Sequence, residues 1–162
     1  MTMTLARKSI SELLRLYGEI LQELRDRRIV RSANSPVGDY TEWLVTTRLG
    51  LKLTNNSQSG HDAVDVATGK RFQIKGRCVV DIARPAQLGV IRNLERKDFD
   101  FLIAVIFDRK FEVAYAAKIP HALVPTISFY QRHVNGHITR LRRGVCDQPG
   151  VEDLTDVFKS NP

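Results

Sequence analysis

Residues 60–77 contain polar side chains whose types and spacing could do chemistry. Gln73 and Lys75 lie two positions apart in a run with strand character, so they share one face of the strand, while Phe72 and Ile74 take the other. An amide and an amine therefore line one face, and apolar groups line the opposite one. We expect the apolar face to join the core and the polar face to form a site.

The turn before these residues decides which carboxylate joins them. A glycine between two β-branched runs predicts a hairpin with its turn near Gly69. With a two-residue loop, Asp62 lies opposite Lys75 on the same face. With one residue more, the register shifts and Asp65 faces Gln73 instead. We favour Asp62.

A second acid lies on a predicted helix, GDYTEWLVTTRLG, at residues 38–50. Glu42 falls on the same helical stripe as Val45, Thr46 and Leu49, which directs its carboxylate against the rest of the protein. A buried carboxylate needs a cation or hydrogen-bond donors, so Glu42 is a candidate site residue. The alternative is an exposed glutamate, or one paired with an arginine.

A longer helix is predicted for residues 9–28, because Ser9 and Glu12 have the spacing of a capping box. Apolar residues recur along it every three or four positions. They are Ile10, Leu13, Leu14, Tyr17, Ile20, Leu21 and Leu24. This stripe could pack on its own domain, or on the same helix of a second copy to form a homodimer through the N-terminal helix.

The remaining pattern predicts an α/β fold, with residues 1–162 forming a single domain. The run FDFLIAVIF, residues 99–107, is almost continuously apolar, as in a central strand covered on both faces. The other predicted elements are strands at 51–54, 62–67, 71–80 and 111–117, a helix at 86–97, a hairpin around Asn135-Gly136, and a closing helix at 151–159.

The formal charge of +7 and the pI of about 9.7 favour a polyanionic partner, and nucleic acid is the commonest polyanion. The candidate phosphate contacts are Arg77, Arg92, Arg96, Arg140, Arg142 and Arg143. For the arginines of the 86–97 helix the alternative is a solvated helix face, and for the last three it is protection of an edge strand. Two isolated cysteines, no long apolar run and no signal-peptide pattern predict a cytoplasmic protein that does not enter a membrane.

The order of these elements and acids resembles that of the PD-(D/E)XK nuclease superfamily, whose restriction-endonuclease-like fold is a mixed sheet flanked by helices. In that family a helix carrying a glutamate precedes a three-stranded meander, with an aspartate on the second strand and an (Asp/Glu/Gln)-x-Lys triplet on the third. Here GDYTEWLV supplies Glu42, GHD supplies Asp62, and Gln73-Ile74-Lys75 supplies the triplet. The resemblance covers residues 38–117, between an extra N-terminal helix in residues 1–33 and a C-terminal hairpin and helix extension in residues 118–162.

The resemblance implies a metal-dependent nuclease that hydrolyses phosphodiester bonds, in DNA rather than RNA. Mg²⁺, or Mn²⁺ in its place, would be held by Asp62, the Gln73 amide oxygen, the Ile74 carbonyl and Glu42, the last directly or through water. Lys75 would hold the attacking water and stabilise the developing charge. Gln73 occupies a position where most members of the family have an acid. The neutral amide removes one negative charge from the site and should weaken metal binding.

Two alternatives stay open. A nuclease-like fold can serve a nucleic-acid-binding or assembly protein without catalysis, because fold does not fix function. An unrelated α/β domain could instead pair Asp62 with Lys75 across the strands and leave Glu42 at the surface. The presence of both acids with the lysine favours catalysis, because uncompensated carboxylates repel phosphate.

Overall fold

α-Helices cover one face of the larger of two β-sheets, and the smaller sheet packs on the other face, in the part of the chain that the structure, a computed structural model, describes: residues 4–55 and 60–159. The α-helices of this part are α1 (Ile10–Asp26), α2 (Val37–Leu49) and α3 (Thr155–Lys159). Its strands are β1 (Lys52–Leu53), β2 (Ala63–Val64), β3 (Arg71–Cys78), β4 (Ala86–Gln87), β5 (Phe101–Phe107), β6 (Val113–Pro120), β7 (Ser128–Gln131), β8 (Gly136–Leu141) and β9 (Glu152–Asp153). The predicted α/β class is confirmed.

The larger sheet has the order β1-β2-β3-β5-β6-β9, and the smaller sheet has the order β4-β8-β7. β3 and β5 run parallel, while the other neighbouring strands are antiparallel. The central strand predicted from its continuous apolar run is β5, and its residues 102–107 are all buried.

The two faces of β5 belong to two cores. On one face Ile103 packs with Phe72 and Ile74 of β3 and with α2, which confirms the predicted apolar face of β3. On the other face Leu102 packs in a cluster with Leu141 of the smaller sheet. β3 and β5 are therefore held between α2 and the smaller sheet.

α1 begins with the predicted capping box. Ser9 Oγ accepts a hydrogen bond from the Glu12 N–H, and the Glu12 carboxylate accepts one from the Ser9 N–H. The apolar stripe packs on the rest of the protein mainly towards the end of the helix, where Leu21 is buried. Ile10 and Leu14 are 79% and 66% exposed, so most of the stripe lacks the cover that packing on its own domain would give.

The helix predicted for residues 86–97 is wrong. β4 pairs antiparallel with β8, and only a short 3-10 turn, Leu94–Arg96, is helical. Asn93 and Lys97 adopt left-handed backbone conformations, which an α-helix does not continue through. Arg92 and Arg96 are exposed but do not share a helical face.

Both predicted registers of the hairpin formed by β2 and β3 are also wrong. Ala63 pairs with Phe72, which places Asp62 beside Gln73. Asp62 is nevertheless the acid that lies next to the predicted triplet, as favoured. The shift of register changes its neighbour from the lysine to the amide.

Asp65 explains the longer turn. Its carboxylate accepts hydrogen bonds from the N–H groups of Ala67 and Thr68 and from the Thr68 hydroxyl. Its carbonyl accepts from the Gly69 N–H, and its own N–H donates to the Lys70 carbonyl. Asp65 therefore closes a four-residue loop and is a turn residue, not a site acid.

The C-terminal part of the fold follows its prediction more closely. β7 and β8 form the predicted hairpin, joined by a 3-10 turn at Arg132–Val134 and by Asn135 in the left-handed conformation. The closing helix predicted for residues 151–159 is shorter, because Glu152–Asp153 forms β9 against β6 and α3 begins at Thr155. No helix of the described residues has the length and apolar character to cross a membrane.

Candidate functional site

Asp62 is the residue before β2, and its side chain is hydrogen-bonded to the edge of β3. Its Oδ2 accepts hydrogen bonds from Gln73 Nε2 at 2.5 Å and from the Ile74 backbone nitrogen at 2.6 Å. The N–H and C=O of one strand residue face the same edge of the strand, so the Ile74 carbonyl lies on the edge that Asp62 occupies. A carboxylate, an amide and a main-chain carbonyl therefore meet here.

α2 brings Glu42 to the same edge. The helix packs so closely on β3 that a β-carbon on Gly76 would overlap Thr41 Oγ1, and Glu42 is the residue after Thr41. The Glu42 side chain is 20% exposed and forms an ion pair with Arg31. The prediction that its carboxylate lies against the protein is confirmed, and the alternative of an arginine partner is also realised.

The charge of Asp62 acts on Glu42. Burial and the charge of Asp62 raise the pKa of Glu42 to about 7, although Arg31 and Lys75 oppose the shift. Burial also raises the pKa of Asp62, against the lowering effect of the Ile74 N–H and of Lys75. A cation between these carboxyl groups would counter both effects, because it favours their charged forms.

Lys75 extends from β3 towards the segment after β4, where a β-carbon on Gly89 would lie 3.9 Å from Lys75 Cδ. Its ammonium group makes no hydrogen bond or ion pair with any described residue. The cross-strand ion pair with Asp62 that an unrelated α/β domain would need is therefore absent from the described residues. The amine can meet a substrate while its charge still acts on both acids.

Arg31 is a site residue that the sequence did not identify. Asp39, in the first turn of α2, accepts hydrogen bonds from the backbone nitrogens of Arg31 and Ser32, both at 2.8 Å. These bonds fold the connection between the helices back onto α2, and the Arg31 guanidinium then meets Glu42. The available signal was two acids three positions apart on one helix, which favour a cation beside them.

His61, which precedes Asp62 in the chain, is a second residue beside the site. It is half-buried, and its Nδ1 is buried without a hydrogen-bond partner among the described residues. A positive charge on His61 would lower the pKa of the neighbouring Asp62. The histidine therefore borders the site.

Four of the predicted phosphate contacts differ in their surroundings. Arg77 lines an open cavity of about 570 Å³ beside the end of β3. Arg140 and Arg142, at the end of β8, donate hydrogen bonds at 3.3 Å to the Gln87 side chain and to the Ala83 carbonyl. Arg143 instead pairs with Asp153 at 3.2 Å, which ties it to β9.

A divalent cation such as Mg²⁺ needs oxygen ligands, which the residues beside β3 supply. The described residues contain no group of three or more His, Cys, Asp or Glu side chains arranged to hold a metal ion. Mg²⁺ keeps several waters, however, and one or two carboxylates with neutral oxygens are enough for it. Asp62, Glu42 and the Ile74 carbonyl fit this requirement. The amide of Gln73 would have to turn over, because its nitrogen now faces Asp62.

No protein-family model matches this chain, and a search of curated proteins finds no significant match. The function is therefore inferred from the chain's own residues and fold.

Proposed function

We propose that the protein is a metal-dependent nuclease of the PD-(D/E)XK type that hydrolyses phosphodiester bonds, in DNA rather than RNA. The observation that carries this proposal is that Asp62, hydrogen-bonded to the edge of β3, and Glu42, on α2, are close enough for the charge of Asp62 to act on Glu42. Burial removes part of the water from around both carboxyl groups. The charges of Asp62 and Lys75 both act on Glu42. Lys75 lies on the same strand without an ion-pair partner among the described residues.

The topology supports a restriction-endonuclease-like fold with one departure. α2 precedes a meander of β1, β2 and β3, and β3 then runs parallel to β5, in the order expected for the family. The connection from β3 to β5, which is described throughout, contains β4 and a 3-10 turn where an α-helix was expected. The elements that hold the proposed site lie before this departure.

The chemistry assigns a task to each side chain. Mg²⁺, or Mn²⁺, would supply a nucleophilic water and shield the charge of the phosphate. Asp62, Glu42 and the Ile74 carbonyl would hold the ion. The Lys75 amine would orient the attacking water and stabilise the charge that develops on the phosphate. Gln73, by donating to Asp62, keeps the carboxylate oriented along the edge of β3.

The partner and the compartment follow from charge and cysteine chemistry. The net charge of +7 favours a polyanionic substrate and gives association a strong dependence on salt. Cys78 and Cys146 are both unpaired thiols, which supports a reducing compartment, and we propose the cytoplasm.

A second candidate, a nucleic-acid-binding or assembly protein without catalysis, is favoured by two contacts. Arg31 already occupies one side of Glu42, and the Gln73 amide already donates to Asp62. In such a protein the guanidinium would take the place of the metal ion. The two candidates differ in a single requirement, which is the divalent cation.

The test is incubation of the purified protein with supercoiled plasmid, single-stranded DNA and RNA in Mg²⁺, Mn²⁺ or EDTA, beside Asp62→Ala. The nuclease proposal predicts cleavage that requires metal and is lost in the variant, while nucleic-acid binding remains. Retardation of DNA in a gel without metal, and no cleavage of any substrate, would support the non-catalytic protein instead.

A further inference from the structure

The outer face of the smaller sheet exposes an aromatic and basic surface that the proposed site does not use. In the register of the sheet Gln87 lies opposite Arg140, and Phe129 lies opposite Ile138. Because positions two apart on a strand share a face, these four side chains lie on one side of the sheet. Leu141 points to the other side and belongs to the core.

Phe129 and Arg140 form the centre of this surface. Phe129 is 40% exposed, and the Arg140 guanidinium carbon lies 5.0 Å from the centroid of its ring. Arg140 also donates a hydrogen bond to Gln87 Oε1 at 3.3 Å. The guanidinium group is therefore held by both the ring and the amide. A planar cation held over an aromatic ring leaves its other face open to a flat partner.

Further positive charge continues from this surface along the cavity of about 570 Å³. Arg77 and Arg84 line the cavity, Arg84 in an ion pair with Asp81 at 3.5 Å, and Arg142 lies beside it through its hydrogen bond to the Ala83 carbonyl. Guanidinium groups of this kind are suited to contact phosphates. Stacking groups and phosphate contacts therefore lie next to each other.

The surface is continuous with the candidate active site. Gly89 follows Gln87 by two residues, and a β-carbon on it would lie 3.9 Å from Lys75 Cδ. Because Gly89 has no side chain, this position adds no cover over Lys75. A chain that crosses the Phe129–Arg140 pair can reach Lys75 along the segment after β4.

We infer that this face is a binding platform for single-stranded nucleic acid, on which an unpaired base stacks against Arg140 above Phe129 while Arg77, Arg84 and Arg142 contact phosphates. Base faces are accessible in a single strand and are covered by neighbouring bases in a duplex, so the platform selects unpaired strands. The inference rests on the proposed function, because it gives that nuclease a single-stranded substrate.

The experiment is fluorescence anisotropy of the full chain in EDTA with three labelled probes of equal length: (dT)15, a blunt duplex, and a strand of abasic sites. We expect (dT)15 to bind more tightly than either other probe, because only it offers accessible base faces. Phe129→Ala and Arg140→Ala should each weaken (dT)15 binding about 5- to 100-fold, the range expected for loss of one stacked base.

Tyr130→Ala is the matched control. Tyr130 neighbours Phe129 in β7 and is 57% exposed, but it points to the opposite face of the strand. Its loss should leave the affinity for (dT)15 unchanged, and thermal unfolding of all three variants shows whether they remain folded. Equal binding of the abasic strand, tighter binding of the duplex, or equal effects of the Phe129 and Tyr130 variants would overturn the platform.

These outcomes are separable from the fate of the nuclease proposal. Metal-dependent cleavage of duplex plasmid that Phe129→Ala does not affect would overturn the platform and leave the nuclease standing. Tight, base-dependent binding of (dT)15 without cleavage under any metal would overturn the nuclease and support the platform in the non-catalytic protein. The absence of binding to all three probes would overturn the platform as well.

Discussion

At the scale of single residues, the state of Glu42 at neutral pH decides how the site behaves. Its pKa of about 7, raised by burial and by the charge of Asp62, means that this carboxyl group is about half protonated at pH 7. Arg31 and Lys75 limit the shift without removing it. The site therefore takes up or releases a proton when a charged ligand arrives.

Glu42→Gln should remove the part of the pH dependence of the free energy of unfolding that comes from the titration of Glu42. A carboxyl group whose pKa is raised on folding stabilises the protein below its unfolded pKa, near 4.5, and that stabilisation is lost as pH rises towards the folded value of about 7. The stability of the unaltered protein relative to the variant should therefore fall by about 2 kcal/mol between pH 5 and pH 8. Urea unfolding of both proteins at the two pH values measures this difference.

Glutamine keeps a side-chain oxygen for Arg31, so the comparison isolates the titration from the loss of a partner. Other titrating groups cancel, because they are present in both proteins. Parallel pH dependence in the two proteins would contradict the raised pKa of Glu42.

Lys75→Ala should reduce turnover by about 100-fold or more while changing metal affinity little, because the amine is assigned to the attacking water and not to the ion. Single-turnover cleavage at saturating Mg²⁺ measures the first quantity. Lys70→Ala, which removes an exposed lysine from the hairpin loop, is the control for charge alone. If the two variants cleave at the same rate as the unaltered protein, Lys75 has no part in the reaction.

At the scale of the elements, the close approach of α2 to β3 sets the distance between the two acids. Gly76 leaves room for Thr41, and the next residue of α2 is Glu42. Any group added at Gly76 must push the helix away from the strand, because the first atoms it meets belong to Thr41.

Gly76→Ala should therefore lower the free energy of unfolding by about 1–3 kcal/mol and reduce cleavage. Thr41→Ala in the same chain should restore part of both losses, because it removes the hydroxyl and methyl groups that the new β-carbon meets. Gly18→Ala is the control. This helical glycine has open space around it, so the change should not lower the free energy of unfolding. Equal stability of Gly76→Ala and the unaltered protein would show that α2 does not set the position of Glu42.

α1 makes a prediction of its own, since most of its apolar stripe is uncovered. We propose that a second copy of the chain covers it, with the two α1 helices packed along their exposed apolar faces. Leu14→Asp should convert a dimer into a monomer, as measured by sedimentation equilibrium, without changing thermal unfolding of the monomer, because Leu14 is 66% exposed. Val66→Asp, at a 74% exposed valine in the hairpin loop, should leave the dimer intact. A monomeric unaltered protein would contradict the pairing.

The elements that could be predicted from the sequence are those that local chemistry determines. The capping box begins α1, Gly50 in the left-handed conformation ends α2, and the apolar run of β5 requires cover on both faces. The segment 86–97 was mistaken for a helix because its conformation depends on pairing with β8, a strand some fifty residues away along the chain. Long-range pairing of this kind leaves no local pattern.

For the candidate site, the sequence predicted the residues but not the contacts between them. Asp62, Glu42 and the triplet of Gln73, Ile74 and Lys75 do lie near one another, but the pairing of the acids with their neighbours could not be read from spacing. Side-chain hydrogen bonds of Asp65 lengthen the turn and so place Asp62 beside the amide. Arg31 was missed for a related reason, because only the folded connection from α1 to α2 brings it to Glu42.

At the scale of the whole molecule, the two acids of the candidate site lie within a strongly basic protein. The net charge of +7 attracts a polyanion over the surface, while Asp62 and Glu42 would repel a phosphate at the site itself. A divalent cation resolves this conflict, because it neutralises both acids and attracts the phosphate. We therefore propose that these two carboxyl groups bind a metal ion.

The most direct test is calorimetric titration of Mg²⁺ and Mn²⁺ at pH 7 in two buffers of different ionisation enthalpy. We predict one saturable site per chain, with release of roughly half a proton as Glu42 becomes fully charged. Asp62→Asn keeps an oxygen that can accept from the Ile74 N–H but lacks the charge, so it should lose the site while staying folded. Absence of saturable binding, or binding that Asp62→Asn leaves unchanged, would contradict the account.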